Sequence, residues 1–196
     1  MNQSPHGINY ESNRPVVMGG NGMISSGHPL ASQAGMAMLQ KGGNAVDAAI
    51  ATAAALNVVE PLMSGAGGDG FIMTYWKETG RVEICNGTGA APYAATRDYY
   101  ADELGGIPLT GIKSVSVPGL VDAWLSTHKR FGSLSFAEVM SPAIDLAQNG
   151  FPVSNVVAQA IAADSLLCEF PTSRACLLYT SPSPRDATLS RMPACA

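Results

Sequence analysis

The most apolar stretch of the chain is an alanine-rich run over 44–59, and it predicts a buried helix. Asn44 is a favourable N-cap, and Asp47 lies in the first turn, where the helix dipole favours a negative charge. Apolar residues point in nearly every direction around this helix, which is typical of a helix packed between layers of structure. A preceding helix is predicted over 30–41, with Pro29 in its first turn.

Strand-like patterns follow the alanine-rich helix. Residues 71–76 and 81–85 contain aromatic and β-branched side chains, and the short connection between them includes Gly80. A connection of this length with a glycine predicts a β-hairpin. Residues 114–117 alternate weakly between polar and apolar side chains, and they predict a further short strand.

Helical patterns dominate from Pro118 onward, and that proline is predicted to open a helix. The apolar residues of this helix predict one packed face, made of Leu120, Val121, Trp124, Leu125 and Phe131. His128 lies near the end of the helix beside two basic residues. We interpret it as a solvated residue favoured by the helix dipole rather than as a catalytic group. Ser135 and Glu138 form a capping-box pattern that predicts the start of the next helix.

A glycine-rich turn connects the alanine-rich helix to the first predicted strand. Gly65, Gly67 and Gly70 have the G-x-G-x-x-G spacing of a dinucleotide-binding loop. Such a loop works only when a strand precedes it and a helix follows it, because the helix N-terminus must face the pyrophosphate. Here the order is reversed. We therefore predict a tight helix-to-strand turn with positive φ angles and close packing, and a nucleotide-binding domain is the less favoured alternative.

Composition favours a globular protein and gives no reason to expect a nucleic-acid or membrane partner. The chain is 46% hydrophobic and 13% charged, against a usual charged fraction of about 25%. Its net charge of −4 is the wrong sign for nucleic acid or an anionic membrane. The apolar run over 45–59 is shorter than the roughly 20 residues that span a bilayer. The four cysteines show no C-x-x-C spacing, so we expect no metal and no organic cofactor.

The two ends of the chain differ from its middle in composition. Residues 1–14 are polar and contain no apolar segment of the kind found in signal peptides, so we expect a polar tail and a cytoplasmic protein. Residues 176–196 show neither helical nor strand periodicity. They resemble adapter-derived endings of unrelated reading frames, and we expect them to be non-native and disordered. The folded part is then expected over 15–175.

Several motifs follow one another in the middle of the chain. They are GHPLASQAG at 27–35, GGNAVDAAIA at 42–51, SGAGGDGF at 64–71, AP and ATRD within 91–98, and SVPG at 116–119. Together and in this order they resemble the gamma-glutamyltranspeptidase family. The resemblance implies an α+β fold, the four-layer αββα sandwich of N-terminal-nucleophile (Ntn) hydrolases, of which this chain holds only the N-terminal part of the large subunit. A partial sandwich exposes sheet edges and apolar faces, so we expect poor solubility.

The same resemblance implies a proenzyme that cleaves itself into a large and a small subunit. The N-terminal Thr of the small subunit attacks the substrate amide, and the acyl–Thr intermediate passes the γ-glutamyl group to water or an amine. We expect that Thr and the oxyanion-hole glycines outside this chain, so no catalytic residue lies here and the chain alone is inactive. The implied partners are a small-molecule amide such as glutathione, the remainder of the large subunit and the small subunit.

One position departs from the family pattern. Typical members place an Arg four residues before the proline that corresponds to Pro92, and this Arg pairs with the α-carboxylate of the glutamyl group. Thr88 stands at that position, and a Thr cannot form the forked contact of a guanidinium with a carboxylate. The alternatives are therefore γ-glutamyl transfer, a divergent acylase for another acyl group such as a cephalosporin side chain or a small dicarboxylic monoamide, and a non-catalytic interaction module.

Overall fold

Two helices, a β-hairpin and a second group of helices follow one another in the computed structural model, which describes residues 16–103, 105–164 and 166–173. The elements are α1 (Pro29–Gln40), α2 (Ala45–Val59), β1 (Phe71–Trp76), β2 (Arg81–Asn86), α3 (Leu120–Phe131), α4 (Phe136–Asn149), α5 (Asn155–Ala163), α6 (Leu166–Glu169) and α7 (Pro171–Ser173). A π-helical turn at Tyr99–Glu103 and a 3-10 turn at Ile112–Ser114 precede α3. The predicted tails at 1–14 and 176–196 lie outside the described residues.

The described residues have an α+β arrangement in which α3 packs against both strands of a two-stranded sheet and α2 packs against α1, α3 and α4. Within these ranges the structure therefore contains one hairpin of the predicted sandwich and helices packed on it. None of the helices in the described ranges combines the length and the apolar character needed to cross a membrane.

α2 lies at the centre of the core, as its sequence predicts. Nine of its fifteen residues are buried, and α1, α3 and α4 all pack against it. The Asn44 side chain accepts hydrogen bonds from the amides of Val46 and Asp47, at 2.9 and 3.2 Å, and Asp47 accepts one from the Asn44 amide at 2.9 Å. This reciprocal cap starts the helix with its first amides satisfied. The main core cluster comprises Met38, Val46, Ala48, Ile50, Ala51, Ala54, Trp124, Val139 and Ala143.

Helices α1 and α2 approach closely at Gly35. A Cβ atom at this position would overlap the Thr52 hydroxyl and would lie 2.9 Å from the carbonyl oxygen of Ala48. Thr52 itself donates its hydroxyl hydrogen to that carbonyl at 2.7 Å. The absence of a side chain at residue 35 therefore sets the distance between the two helices.

The buried carboxylate of Asp47 joins α2 to the connection between α3 and α4. The side chain of Asp47 is fully buried. Its oxygens accept hydrogen bonds from the amide of Ser133, at 3.1 and 3.2 Å, and from the amide of Leu134 at 3.3 Å. The core helix is thus hydrogen-bonded to a segment that lies 86 residues further along the chain.

The interpretation of His128 as a solvated residue is wrong. Its side chain is 14% exposed, and its Nε2 atom lies 3.5 Å from Asp47 Oδ1 and 2.9 Å from the carbonyl oxygen of Leu134. The ring also stacks edge-on against Phe136, with the ring centroids 5.2 Å apart. The chain folds back immediately after α3, and this turn covers the histidine with groups that are distant in sequence.

The hairpin forms over the predicted residues, with β2 one residue longer than expected. β1 and β2 pair antiparallel, so that Phe71 lies opposite Asn86 and Trp76 opposite Arg81. Gly80 in the turn has a φ of 64°, in the left-handed region that favours glycine. The local sequence of the connection therefore determines the reversal of the chain.

The two faces of the hairpin have different environments. On the inner face, Ile72 packs against the core and the ring of Trp76 lies 5.1 Å from that of Phe131 in α3. The outer face is also apolar, although each of its five large side chains is more than half exposed: Phe71, Met73, Tyr75, Val82 and Ile84. We call these five residues the outer hairpin face. A face exposed to water in a complete protein is usually polar, so this surface has the composition of an interface.

Three other predictions are wrong in detail. Residues 114–117 join no sheet within the described ranges, since a 3-10 turn ends at Ser114 and the extended backbone that follows contacts a loop instead of a strand. α3 begins at Leu120, two residues after Pro118. On that helix Val121 and Leu125 are 39% and 45% exposed, because α3 turns Ala123, Trp124 and Thr127 towards the core.

Replacing the buried carboxylate is expected to destabilise the chain strongly. Asp47→Ala removes a fully buried carboxyl group that accepts hydrogen bonds from the amides of Ser133 and Leu134, which lowers the free energy of unfolding by about 3 kcal/mol. Urea unfolding in dilute solution, followed by the fluorescence of the two tryptophans, measures this change.

Asp145→Ala is the matched control. Asp145 is exposed on α4 and accepts one hydrogen bond from Asn149. Its removal is therefore expected to lower the free energy of unfolding by less than about 0.5 kcal/mol. Equal losses for the two variants would contradict the assigned role of Asp47.

Candidate functional site

Three loops meet at the end of the hairpin that lies away from its turn. They are the glycine-rich turn before β1, the loop after β2 and the segment before α3. The amide of Gly87 donates to the carbonyl of Gly70 at 2.8 Å, and the amide of Val117 donates to that of Ala90 at 3.4 Å. The carbonyl of Gly68 accepts from residues 119 and 120, at 3.2 and 3.0 Å. We call residues 68–70, 87–90 and 116–119 the loop junction.

The carboxylate of Asp69 connects all three loops of the junction. Its Oδ1 atom accepts a hydrogen bond from the Gly89 amide at 3.0 Å, and its Oδ2 atom accepts one from the Ser116 hydroxyl. The hydrogen bond from Ser116, followed by that from Gly89 and a weaker one from the Gly119 amide, lowers the pKa of Asp69 below its ordinary value. Asp69 is therefore charged at neutral pH.

The junction has no room for side chains at Gly87, Gly89 and Gly119. A Cβ atom at Gly89 would overlap the carbonyl oxygen of Val117, and one at Gly119 would overlap the carbonyl oxygen of Gly87. A Cβ atom at Gly87 would lie 2.5 Å from the Cβ of Ala123 and 3.0 Å from the carbonyl oxygen of Gly70. The loops therefore touch backbone to backbone, and their relative position is set by main-chain contacts.

The glycine-rich turn differs in one respect from its prediction. Gly65, Gly67 and Gly70 all have negative φ angles, and space around the first two is open. Ordinary backbone hydrogen bonds shape the turn, such as that from the Gly68 amide to the Gly65 carbonyl at 3.0 Å. The predicted close packing occurs at Gly70, where a Cβ would lie 2.6 Å from Leu120 Cδ1. The rejection of a nucleotide site is supported, because α2 precedes the turn and β1 follows it.

Thr88, the predicted substrate-binding residue, lies on the surface of the junction. Its side chain is exposed, and its amide donates to Asn86 Oδ1 at 2.9 Å. The next residue, Gly89, is the one bound by Asp69. The structure thus brings Thr88 next to Asp69 and Ser116, which sequence reasoning did not single out. The available signal in the sequence was Asp69 itself, an acidic residue in a turn made almost entirely of glycine. A carboxylate in such a turn has to take its hydrogen-bond donors from outside the turn.

Metal binding gains no support from the described residues. They contain no group of three or more His, Cys, Asp or Glu side chains arranged to hold a metal ion. The chemical features of the junction are one charged carboxylate, a set of satisfied main-chain amides and an exposed hydroxyl at Thr88. Such an arrangement can position a loop against a ligand, and it contains no activated nucleophile.

Comparison with known proteins identifies the family. The gamma-glutamyltranspeptidase family model matches residues 31–196. The glutathione hydrolase-like YwrD proenzyme of Bacillus subtilis (strain 168) is 52% identical over 139 residues, which are 70% of this chain and 26% of that protein. The acylase ACY 1 proenzyme of Pseudomonas sp. (strain V22) is 38% identical over 167 residues, which are 80% of this chain and 30% of that protein.

Solved structures of two related enzymes share the fold. The gamma-glutamyltranspeptidase of Helicobacter pylori superposes with a TM-score of 0.75 at 32% identity, over 82% of this chain and 47% of that chain. The cephalosporin acylase of Bacillus halodurans superposes with a TM-score of 0.74 at 39% identity, over 86% of this chain and 32% of that chain.

The matched region spans only 26% to 30% of the two curated relatives described above. The family model nevertheless covers most of this chain. The α+β arrangement of the described residues agrees with the structures of both enzymes. The chain belongs to the gamma-glutamyltranspeptidase family.

Proposed function

We propose that this chain is the N-terminal part of a self-processing amidohydrolase, which transfers a γ-glutamyl or related acyl group from an amide to water or an amine. The observation that carries the proposal is the family match over residues 31–196. The naming of the relatives YwrD and ACY 1 as proenzymes supports the self-processing step. Glutathione is the proposed type of donor, because YwrD is named glutathione hydrolase-like.

The proposed chemistry uses an N-terminal Thr that lies outside the described residues. Its hydroxyl oxygen attacks the amide carbonyl, the α-amine takes the hydroxyl proton, and the C–N bond breaks as the departing amine receives a proton. Water or an acceptor amine then attacks the acyl–Thr ester and releases the Thr hydroxyl. This chain contributes the helical layer that supports the sheet and the loop that carries Thr88.

A divergent acyl specificity is the second candidate. Thr88 presents a neutral, exposed side chain where typical family members place an Arg. A Thr cannot neutralise the α-carboxylate of a glutamyl group. Replacement of the Arg by Thr therefore lowers the binding affinity less for donors without that carboxylate than for γ-glutamyl donors. The likeness to proteins named as acylases supports this candidate as well.

The outer hairpin face supports the proposal that further parts of the proenzyme pack on this chain. Its five apolar side chains lie on one side of a sheet whose other side already covers the core. A second sheet layer on this surface would complete the predicted αββα sandwich. It would also remove the apolar area from water, at roughly 25 cal/mol per Å².

The complete proenzyme is expected to cleave itself and to release p-nitroaniline from γ-glutamyl-p-nitroanilide, whereas the 196-residue chain alone is expected to show neither reaction. The nucleophile is expected only in the complete protein. Gel electrophoresis detects the cleavage, and absorbance detects the product. Turnover by the chain alone would refute its predicted inactivity. A complete protein that neither cleaves itself nor hydrolyses any amide would favour the non-catalytic interaction module.

Thr88→Arg in the complete protein is expected to favour donors that carry an α-carboxylate. The test compares γ-glutamyl-p-nitroanilide with 4-aminobutyryl-p-nitroanilide, which differs only by lacking that carboxylate. A paired carboxylate gains about 1.5–3 kcal/mol, so the ratio of the two kcat/KM values should rise roughly 10- to 150-fold. Thr88→Gln is the control for side-chain length without charge. An equal change of the ratio in both variants would exclude pairing of the introduced charge with the carboxylate, and a ratio that neither variant changes would exclude Thr88 from the acyl pocket.

The chain alone is expected to self-associate through the outer hairpin face. Met73→Lys with Ile84→Lys places two charges on that surface and is expected to reduce the association measured by light scattering. Leu109→Lys with Ile112→Lys is the control, because both residues are exposed away from the hairpin. A monomeric wild-type chain with a sharp thermal transition, or equal effects of the two pairs, would contradict the prediction.

A further inference from the structure

The hydrogen bonds of the Asp69 carboxylate go to residues outside the glycine-rich turn, and the turn forms without them. The turn is closed by its own main-chain hydrogen bonds, including those from Ser64 to Glu60 at 3.2 Å and from Gly68 to Gly65 at 3.0 Å. The Asp69 side chain points away from these bonds and accepts hydrogen bonds from two other loops. Its role is therefore to connect loops and not to form the turn.

We propose that Asp69 is a positioning residue that holds the loop carrying Thr88 in place for the acyl group of the donor. This inference rests on the proposed function of Thr88 as part of the acyl pocket. Asp69 reaches the loop through the main-chain amide of Gly89, and it reaches the segment before α3 through Ser116.

Thr88 lies between two restraints on its own main chain. On one side its amide is bound by Asn86 Oδ1, and on the other side the amide of Gly89 is bound by Asp69 Oδ1. Gly89 is also pressed against the carbonyl of Val117. Removal of the Asp69 carboxylate abolishes the hydrogen bond of the Gly89 amide, while the hydrogen bond from the Thr88 amide to Asn86 remains. The path of residues 88–90 then depends on the Asn86 contact, on the hydrogen bond from the Val117 amide to the Ala90 carbonyl and on packing.

The loops need an acceptor at this point because donors converge there. The amide of Gly89 and the hydroxyl of Ser116 both donate to Asp69, and the amide of Gly119 donates to the carbonyl of the preceding residue, Gly68. A Cβ built on Gly119 would lie 3.3 Å from the Gly89 nitrogen, which shows how close the two loops are. Without the carboxylate these donors face one another, so the loops are expected to separate and admit water.

A role for Asp69 as a general base fits the geometry less well. Both oxygens already accept hydrogen bonds, and those bonds hold the pKa of Asp69 below its usual range. A carboxylate with a lowered pKa is a weak base at neutral pH. A positioning role requires only a charged carboxylate whose two oxygens accept hydrogen bonds from neighbouring loops, which is the arrangement observed for Asp69.

The catalytic test uses Asp69→Ala in the complete proenzyme. The variant is expected to raise KM for γ-glutamyl-p-nitroanilide about tenfold with kcat changed by less than about twofold, because a positioned binding loop is lost while the nucleophile is untouched. Acetyl-p-nitroanilide has an acyl group too short to reach the loop, so its KM should stay the same. Asp69→Asn keeps one acceptor oxygen and should restore part of the binding.

Glu78→Ala is the matched control, because Glu78 is an exposed carboxylate in the turn at the opposite end of the same hairpin. It is expected to leave both KM values unchanged. An Asp69→Ala variant that matches this control would overturn the inference. A variant that loses kcat equally for the long and the short donor would also overturn it, since that pattern indicates general structural damage.

A second measurement needs no catalysis and uses the 196-residue chain. Asp69→Ala is expected to accelerate amide hydrogen exchange at Gly89 about tenfold or more, because this amide loses its acceptor, while the amides of α2 keep their protection. Unchanged exchange at Gly89 would overturn the role of Asp69. If the complete wild-type protein hydrolyses no amide, the proposed function fails, and the exchange result still decides whether Asp69 connects the loops.

Discussion

The buried Asp47 carboxylate is the interaction on which the arrangement of helices depends. It caps α2 in a reciprocal hydrogen bond with Asn44 and also binds the amides that follow α3. A fully buried carboxyl group is tolerated only when hydrogen-bond donors surround it, so the position of α2 and the path of the chain after α3 are determined together. Because α2 is the helix around which the core packs, this one carboxylate relates the first half of the fold to the second.

The two ends of α3 are held by different acceptors. After its C-terminal end the contacts go to the Asp47 carboxylate, and at its N-terminal end the amides of Gly119 and Leu120 donate to the carbonyl of Gly68, in the glycine-rich turn that also contains Asp69. Asp47 is buried, so its hydrogen bonds are shielded from water and contribute to the stability of the fold. Asp69 is at the surface, where water screens its charge, so its effect is on the local position of the loops. α3 therefore connects the core around Asp47 with the loop junction.

Local sequence predicted the elements whose determinants are local. The caps of α2 and α4, the hairpin turn at Gly80 and the buried character of α2 all follow from residues within one turn or one strand. His128 could not be placed correctly, because the groups that cover it include Asp47, which is far away in sequence. The fold family and the position of Thr88 came from the resemblance, whereas the loop contacts of Asp69, 20 and 47 residues away, required the structure.

The geometry of the junction separates the path of the Thr88 loop from the identity of the side chain at residue 88. Asp69 contacts the Thr88 loop through a main-chain amide, and the close approach of Gly89 to Val117 is also a main-chain contact. Neither contact involves the side chain at residue 88, which is exposed. The junction can therefore hold the same loop path whatever that side chain is. Under the proposed role of Thr88, substitution at this one surface position would change the accepted acyl group without rebuilding the loop that presents it.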